Sequence, residues 1–317
     1  MTTPSALFER AVAGERRALG RLLTYVEQGG DHCDEVSELA HREAAGEAPV
    51  IGMTGAPGTG KSTLVGQLVN LMADAGAQPA VLAVDPSSPL TGGAILGDRI
   101  RMHDIAHRGA FIRSMATRGH AGGLALAVPA ALRLFDACGF APLVVETVGV
   151  GQVEVDITRT ADTTVVLVAP GMGDAVQANK AGLLEVADVL VVNKADRPGA
   201  DDARRDLEHM LDLGHITGQT DDWRPQVIMT SATEGRGADE VQQAIDTHRA
   251  HLVQTGQLQA HRRKRVYQEV RDRIARQLDA ATAQYLDTQP DALLEALEGD
   301  RTPAAAATEL GNRLLRP

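Results

Sequence analysis

A chain of 317 residues, 44% of them hydrophobic, can bury a substantial core, either as one large domain with appendages or as two domains. Its 31 lysines and arginines against 42 aspartates and glutamates leave a formal charge of −11, which argues against a grip on nucleic acid, because such proteins carry a basic footprint. Cys33 and Cys138 match no disulfide framework or paired metal-ligand spacing, the N-terminus lacks the apolar core of a signal peptide, and no apolar run approaches the roughly 18 residues that span a bilayer. A soluble cytoplasmic protein with two inert thiols and no membrane partner is expected.

Residues 5–27, "ALFERAVAGERRALGRLLTYVEQ", set Leu7, Ala11, Leu19, Leu22, Leu23 and Val26 on a helical period between charges, which predicts an amphipathic helix ahead of the main domain. From Pro49 onward, short β-branched runs alternate with longer helical stretches: "VIGM", "AVLAV", "AFIRS", "LVVE", "TVVLVA", "VLVVN" and "QVIM". Nearly continuous apolar strands separated by helices predict an α/β fold, a mostly parallel sheet covered by helices on both faces. After about Ala250 the strands cease. There "RRKRVYQEVRDRIARQLDAA" carries Val266, Val270, Ile274 and Leu278 at four-residue steps, a stripe that suits a symmetric dimer or packing onto the chain's own α/β domain. The basic run His261–Arg265 reads as a solvated helix face or a subunit contact in so acidic a chain. The expected organisation is an N-terminal helical extension over 1–45, an α/β domain over 46–256 and a C-terminal helical arm over 257–317.

The octet "GAPGTGKS", Gly55–Ser62, fits G-x-x-x-x-G-K-[ST], with the strand "VIGMT" before it and the helical "TLVGQLVNLMADAG" after it. In that context glycines let backbone N–H groups close around phosphate. Gly55, Ala56, Pro57, Gly58, Thr59, Gly60 and the adjoining Thr63 form the expected cradle, Lys61 supplies a cation, and Ser62 offers a hydroxyl to Mg²⁺. Asn193-Lys194-Ala195-Asp196 follows the sixth run at its carboxyl end, where ligands sit in open α/β sheets. An ionised Asp196 accepts two hydrogen bonds from the guanine N1–H and exocyclic amine, whereas adenine presents no such donor pair on that edge. Past the next strand, Ser231-Ala232 in "TSATEGRG" resembles the GTPase loop that packs against guanine. GTP, GDP and Mg²⁺ are the ligands these motifs imply.

Glu146 ends the fourth run, and "ETVG" holds the place of the D-x-x-G element that reaches Mg²⁺ through water and senses the γ-phosphate. The longer side chain still allows a carboxylate near the metal, and Gly149 lets its N–H approach phosphate. In Ras-like proteins the water-orienting glutamine directly follows that glycine. Here Val150 stands there and Gln152 lies beyond it, so sluggish intrinsic hydrolysis is expected, with Gln152 a candidate to compensate after a rearrangement.

Taken together, "GAPGTGKSTL", "VLAVDPSSPLTGGAILGDRIRM", "IRSMATRGHAGGLA", "VVETVGVGQVE", "APGMGDAVQANKAG" and "VVNKAD" make the chain resemble the MeaB/ArgK family of P-loop GTPases, from the N-terminal helix to about Arg249. Members of that family are chaperones of methylmalonyl-CoA mutase and related adenosylcobalamin-dependent acyl-CoA mutases. The glutamate of "ETVGVGQ" belongs to the family pattern, while Val153 stands where the family usually has serine. The resemblance implies that Asp85 and Asp98 join Ser62 and Glu146 in the Mg²⁺ and switch region, a helix cap being the plainer role for Asp98. It also implies that Pro170–Lys180 is an additional switch that moves when mutase binds, with Lys180 at the matching lysine; an ordinary loop and helix start is the alternative. The implied activity is GTP hydrolysis by a homodimeric chaperone that gates cofactor loading and protects or reactivates a mutase, with Lys61, Glu146, Gln152 and Lys180 as the catalytic set. Methylmalonyl-CoA mutase is the default client, and isobutyryl-CoA and hydroxyisobutyryl-CoA mutases are others. Two further readings stay open: a metallochaperone GTPase, for which His32 beside Cys33 is the trace, and a kinase of transport proteins, a label historically attached to the family.

Overall fold

Each of the seven apolar runs becomes a strand in the computed structural model, which describes residues 3–85, 109–116, 121–147, 160–171, 186–216, 223–289, 291 and 302–314. The strands are β1 Val50–Gly55, β2 Ala80–Asp85, β3 Phe111–Ala116, β4 Leu143–Thr147, β5 Thr163–Val168, β6 Val189–Asn193 and β7 Gln226–Thr230. All neighbours pair in parallel, in the order β3-β2-β4-β1-β5-β6-β7. Every residue of β1, β4, β5 and β6 is buried, which is why these runs are apolar without alternation. The helices are α1 Pro4–Val12, α2 Arg16–Gln28, α3 Asp31–Glu43, α4 Lys61–Asp74, α5 Ala121–Ala137, α6 Ala200–Ile216, α7 Ala238–Gln254, α8 Gln257–Thr288 and α9 Pro303–Leu314.

Successive strand side chains go to opposite faces and build separate cores. Leu82, Val84, Leu143 and Val145 pack with Leu7, Leu22 and Leu23 of the N-terminal helices and Leu134 and Phe135 of α5. On the other face, Met53, Val144, Val165 and Leu167 meet Leu64 and Leu68 of α4 and Val241 and Ile245 of α7. A third cluster joins Val166, Val168, Leu190 and Val192 to Leu207 and Leu211 of α6.

The single N-terminal helix expected over 5–27 is two helices. The chain turns at Gly14, whose φ of 94° favours glycine, and Arg10 Nε and Nη2 donate to the two carboxylate oxygens of Glu15 at 2.7 and 2.6 Å. The periodic stripe runs through the break because Leu7, Ala11, Leu19, Leu22, Leu23 and Val26 all enter one core.

Two compact units divide the chain, Met1–Arg265 and Val266–Pro317. In the second, Val266, Val270, Ile274 and Leu278 of α8 are exposed, and Arg313 of α9 pairs with Glu309 at 2.5 Å. The basic run ahead of the division is not simply a solvated face. Arg262 Nη2 donates to Asp162 Oδ2 at 3.1 Å and Arg265 Nη2 to Asp162 Oδ1, and that carboxylate is only 3% exposed. A carboxylate so buried requires cationic partners, a need that local charge pattern does not reveal. Among the described residues no helix is long and apolar enough to cross a membrane.

Candidate functional site

The site gathers at the carboxyl ends of β1, β4, β6 and β7. β1 runs into the Gly55–Ser62 loop, and two glycines there are dictated by close approach. A Cβ on Gly55, at φ 139°, would lie 2.2 Å from the Leu167 carbonyl oxygen of β5, and one on Gly60, at φ 96°, 2.3 Å from Asn193 Nδ2. The loop therefore presses against the sheet as only glycine allows, and its last two residues, Lys61 and Ser62, already open α4, which turns its N-terminal N–H groups and dipole toward the loop. Lys61 is buried, and its Nζ donates to the carbonyls of Gly55 at 2.7 Å and Ala56 at 3.1 Å. An ammonium held inside the loop together with the helix N-terminus makes an anion cradle suited to phosphate.

Glu146 arrives from β4. Parallel pairing sets Met53 against Glu146, so the two strands end side by side, and Thr147 Oγ1 donates to Thr54 Oγ1 at 3.1 Å. Glu146 is 4% exposed, and Ser62 Oγ donates to its Oε1 at 2.6 Å. The structure thus brings together two of the residues expected around Mg²⁺. A hydroxyl and a carboxylate are the hard oxygen donors that this ion takes, so the donor set fits it. Asp85, a third, ends β2, in register with Ala116 of the edge strand β3.

On the far side of the loop, Asn193 is 2% exposed and tied in three directions. Its Nδ2 donates to the Thr59 carbonyl at 2.7 Å, while its Oδ1 accepts from Thr230 Oγ1 at 3.0 Å and from the Ala232 N–H at 3.1 Å. Lys194 follows at φ 61°, a left-handed position for a residue with a side chain, and its Nζ donates to the Gly58 carbonyl at 2.6 Å. Asp196 Oδ1 accepts from Ser231 Oγ at 2.8 Å, and that hydroxyl is the main cause holding the carboxyl below its ordinary range. An exposed, ionised carboxylate fixed by a hydroxyl can present acceptors to a paired donor edge.

The phosphate-loop residues and Glu146 therefore converge on one side, and Asn193, Lys194, Asp196, Ser231 and Ala232 on the other, linked through Asn193. Asp98, Gly149, Gln152 and Lys180 lie outside the described residues. Two contributors carried no sequence signal: Thr230, which holds Asn193, and Gln67 of α4, whose Nε2 donates to the Ala232 carbonyl. Of the residues weighed for metal carriage, Cys33 is buried in α3 and His32 stacks on Tyr25 with ring centroids 4.9 Å apart. Burial pushes the Cys138 thiol up to about 11.

Residues 19–285 match the family model described as Methylmalonyl Co-A mutase-associated GTPase MeaB. A Pyrococcus horikoshii protein provisionally named a GTPase is 44% identical over 302 residues, 95% of each chain. Escherichia coli GTPase ArgK is 39% identical over 258 residues, 79% of this chain and 77% of its own. A stretch of 202 residues is 40% identical to the fused isobutyryl-CoA mutase of Cupriavidus metallidurans, covering 63% of this chain and 18% of that protein. A crystal structure of a LAO/AO transport system kinase superposes with a TM-score of 0.72 at 28% identity, covering 99% of this chain and 98% of that one.

Proposed function

The chain belongs to the MeaB/ArgK family of P-loop GTPases associated with acyl-CoA mutases and is a GTP-hydrolysing enzyme, and from that premise we propose that it gates and protects an adenosylcobalamin-dependent mutase, with methylmalonyl-CoA mutase as the client. The observation that carries the GTP side of this reading is Asn193, whose single amide binds the phosphate loop at Thr59 and the base-side loop at Ala232. Loading one loop thereby organises the other. In the proposal Lys61 neutralises β- and γ-phosphate charge, Asp196 reads guanine, and Ser62 and Glu146 hold Mg²⁺, which when bound offsets charge developing on the phosphates. Lys180 and Gln152 are the proposed means by which a docked mutase accelerates hydrolysis. The fused isobutyryl-CoA mutase relative supports a mutase client, since there a similar segment shares a chain with a mutase.

The test is phosphate release from GTP by the purified chain, with and without methylmalonyl-CoA mutase, with Lys61→Ala as the inactive control. A slow rate that rises several-fold with mutase is expected. An unchanged rate with methylmalonyl-CoA mutase and with isobutyryl-CoA mutase removes the client assignment. The transport-system kinase named for one solved structure favours a second reading, in which phosphate passes to a protein side chain; label retained in protein would support it. The exposed stripe of Val266, Val270, Ile274 and Leu278 supports self-association as a homodimer, for which Ile274→Glu should give a monomer by light scattering.

A further inference from the structure

Ala232 is held at both of its peptide groups from outside its own loop. Its N–H donates to Asn193 Oδ1 at 3.1 Å from the end of β6, and its carbonyl accepts from Gln67 Nε2 on α4. The loop's internal bonds run instead between Ser231, Glu234 and Arg236: Ser231 N to Arg236 O at 3.1 Å, Glu234 N to Ser231 O at 3.0 Å, and Arg236 N to Ser231 O at 3.2 Å. Those bonds shape the loop. Its place beside β6 follows from the pairing of Thr230 with Asn193, and the bond from Gln67 ties it in addition to the helix that carries the phosphate cradle.

We propose that Gln67 is a positioning residue for base selection: by holding the Ala232 carbonyl it fixes the Ser231–Ala232 wall, and through Ser231 the guanine-reading carboxylate of Asp196, relative to the phosphate cradle. The inference rests on the guanine reading of the site. Its physical basis is that Gln67 sits on the same rigid helix that begins with Lys61, about 9 Å further along the axis. Phosphate end and base end are thus measured off one element. Asp196 Oδ1 in turn accepts from Ser231 Oγ, so a shift of Ala232 passes directly to the carboxylate that meets the base.

The other half of the Gln67 amide argues for function over packing. Its Oε1 is buried with no hydrogen-bond partner among the described residues, an arrangement that disfavours the fold. An apolar side chain of the same size would remove that unmet acceptor. What it could not supply is the donor to Ala232.

The experiment measures displacement of a fluorescent GDP analogue from the full chain by GTP and by ATP, for the parent, Gln67→Leu, Gln67→Glu and Gln67→Lys. Gln67→Leu should weaken GTP by about tenfold, the worth of one positioning hydrogen bond, and leave ATP within about twofold, so the GTP/ATP preference contracts. Gln67→Glu, which turns an oxygen toward the carbonyl, should show at least the same contraction and serves if the leucine variant fails to fold. Gln67→Lys, which restores a donor, should recover most of the preference. In Gln67→Leu the removed acceptor offsets the Ala232 carbonyl that loses its donor, so the urea midpoint should stay close to that of the parent; a purely structural role requires a clearly lower midpoint with the preference intact. A parent that does not prefer GTP to ATP overturns the guanine reading and this inference together. A parent that prefers GTP, beside variants with the same preference, overturns the role of Gln67 alone.

Discussion

Ser62 Oγ and Glu146 Oε1 lie 2.6 Å apart, joining the first turn of α4 to the end of β4 through a hydroxyl and a carboxylate. The Met53–Glu146 register fixes where the carboxylate starts, so its reach is set by side-chain length. Glu146→Asp withdraws the carboxylate by one carbon–carbon bond, about 1.5 Å, and breaks the contact. The Mg²⁺ concentration for half-maximal GTP hydrolysis should then rise by about tenfold or more, and Ser62→Ala should do the same from the opposite side. Mg²⁺ titrations of the hydrolysis rate check this; parent-like midpoints in both variants would remove the pair from the metal site.

Base choice should reside in Asp196. Asp196→Asn exchanges two acceptors for one acceptor and one donor, so GTP should weaken by about a hundredfold or more while xanthosine triphosphate gains. The Ser231 hydroxyl lowers the Asp196 carboxyl, so the ionised form, the one proposed to accept from guanine, persists as pH falls below the ordinary carboxylate range and is lost only through the lowered value. Ser231→Ala should move the acid limb of GTP binding to higher pH. Calorimetric titrations across pH 3.5–6 would show it, and coincident acid limbs for parent and variant would count against this role for the hydroxyl.

Much of this architecture is readable along the chain, for reasons tied to particular residues. β4 and β6 announce themselves because burial on both faces demands uninterrupted apolar runs, and Gly55–Ser62 and Asn193–Asp196 are legible because each is a short contiguous run at the carboxyl end of a strand. The α1–α2 break is hidden because Leu7, Ala11 and Leu19 share one core and keep their phase across Gly14. Pairings over long separations leave no local period. Asn193 meets Thr59 and Gln67 meets Ala232 only once the sheet has ordered, and Arg262 and Arg265 look like surface charge until β5 brings Asp162 beneath them.

Asp162 accepts from the Val50 N–H at 3.0 Å as well as from both arginines, so one carboxylate ties the start of α8 to the entry of β1. Burial raises its carboxyl, but Arg265, Arg262 and the Val50 N–H outweigh that, and the net direction is down. With the folded value lowered, its stabilisation is complete above the ordinary carboxyl value and is lost as pH falls through the lowered one. Asp162→Ala strands two part-buried guanidiniums and should cost about 3–5 kcal/mol in urea unfolding at pH 7. Replacing the three together, Asp162→Leu with Arg262→Met and Arg265→Met, should recover most of the loss, because no charge is then left unpaired. A loss under about 1 kcal/mol in the single variant would show that the cluster is not a stability determinant.

His248 offers a pH dependence of opposite chemical origin. The ring is 2% exposed, its Nδ1 lies 2.9 Å from Thr163 Oγ1 and its Nε2 3.4 Å from Asp188 Oδ1, and Trp223 packs on it with ring centroids 4.8 Å apart. Burial first, then the neighbouring His251 and His261, push it down to about 4 against a weaker opposing pull from Asp162. The unfolded chain takes up this proton near the ordinary value of 6.5, so between there and about 4 the unfolded state binds more protons than the native state. Stability attributable to His248 is therefore whole above 6.5 and declines as pH falls to about 4, with a slope of at most about 1.4 kcal/mol per pH unit. His248→Gln keeps a partner for Thr163 without titrating, and should remove that slope while leaving the lower-lying acid loss from Asp162 in place. Trp223 is the single tryptophan of the chain and stacks on both His248 and His251, so its fluorescence reports unfolding at this site directly. Urea titrations at pH 7, 6, 5 and 4.5 give the comparison: a parent whose stability falls more steeply than the variant is expected, and parallel pH profiles would mean that His248 takes up its proton in the folded protein as readily as in the unfolded chain.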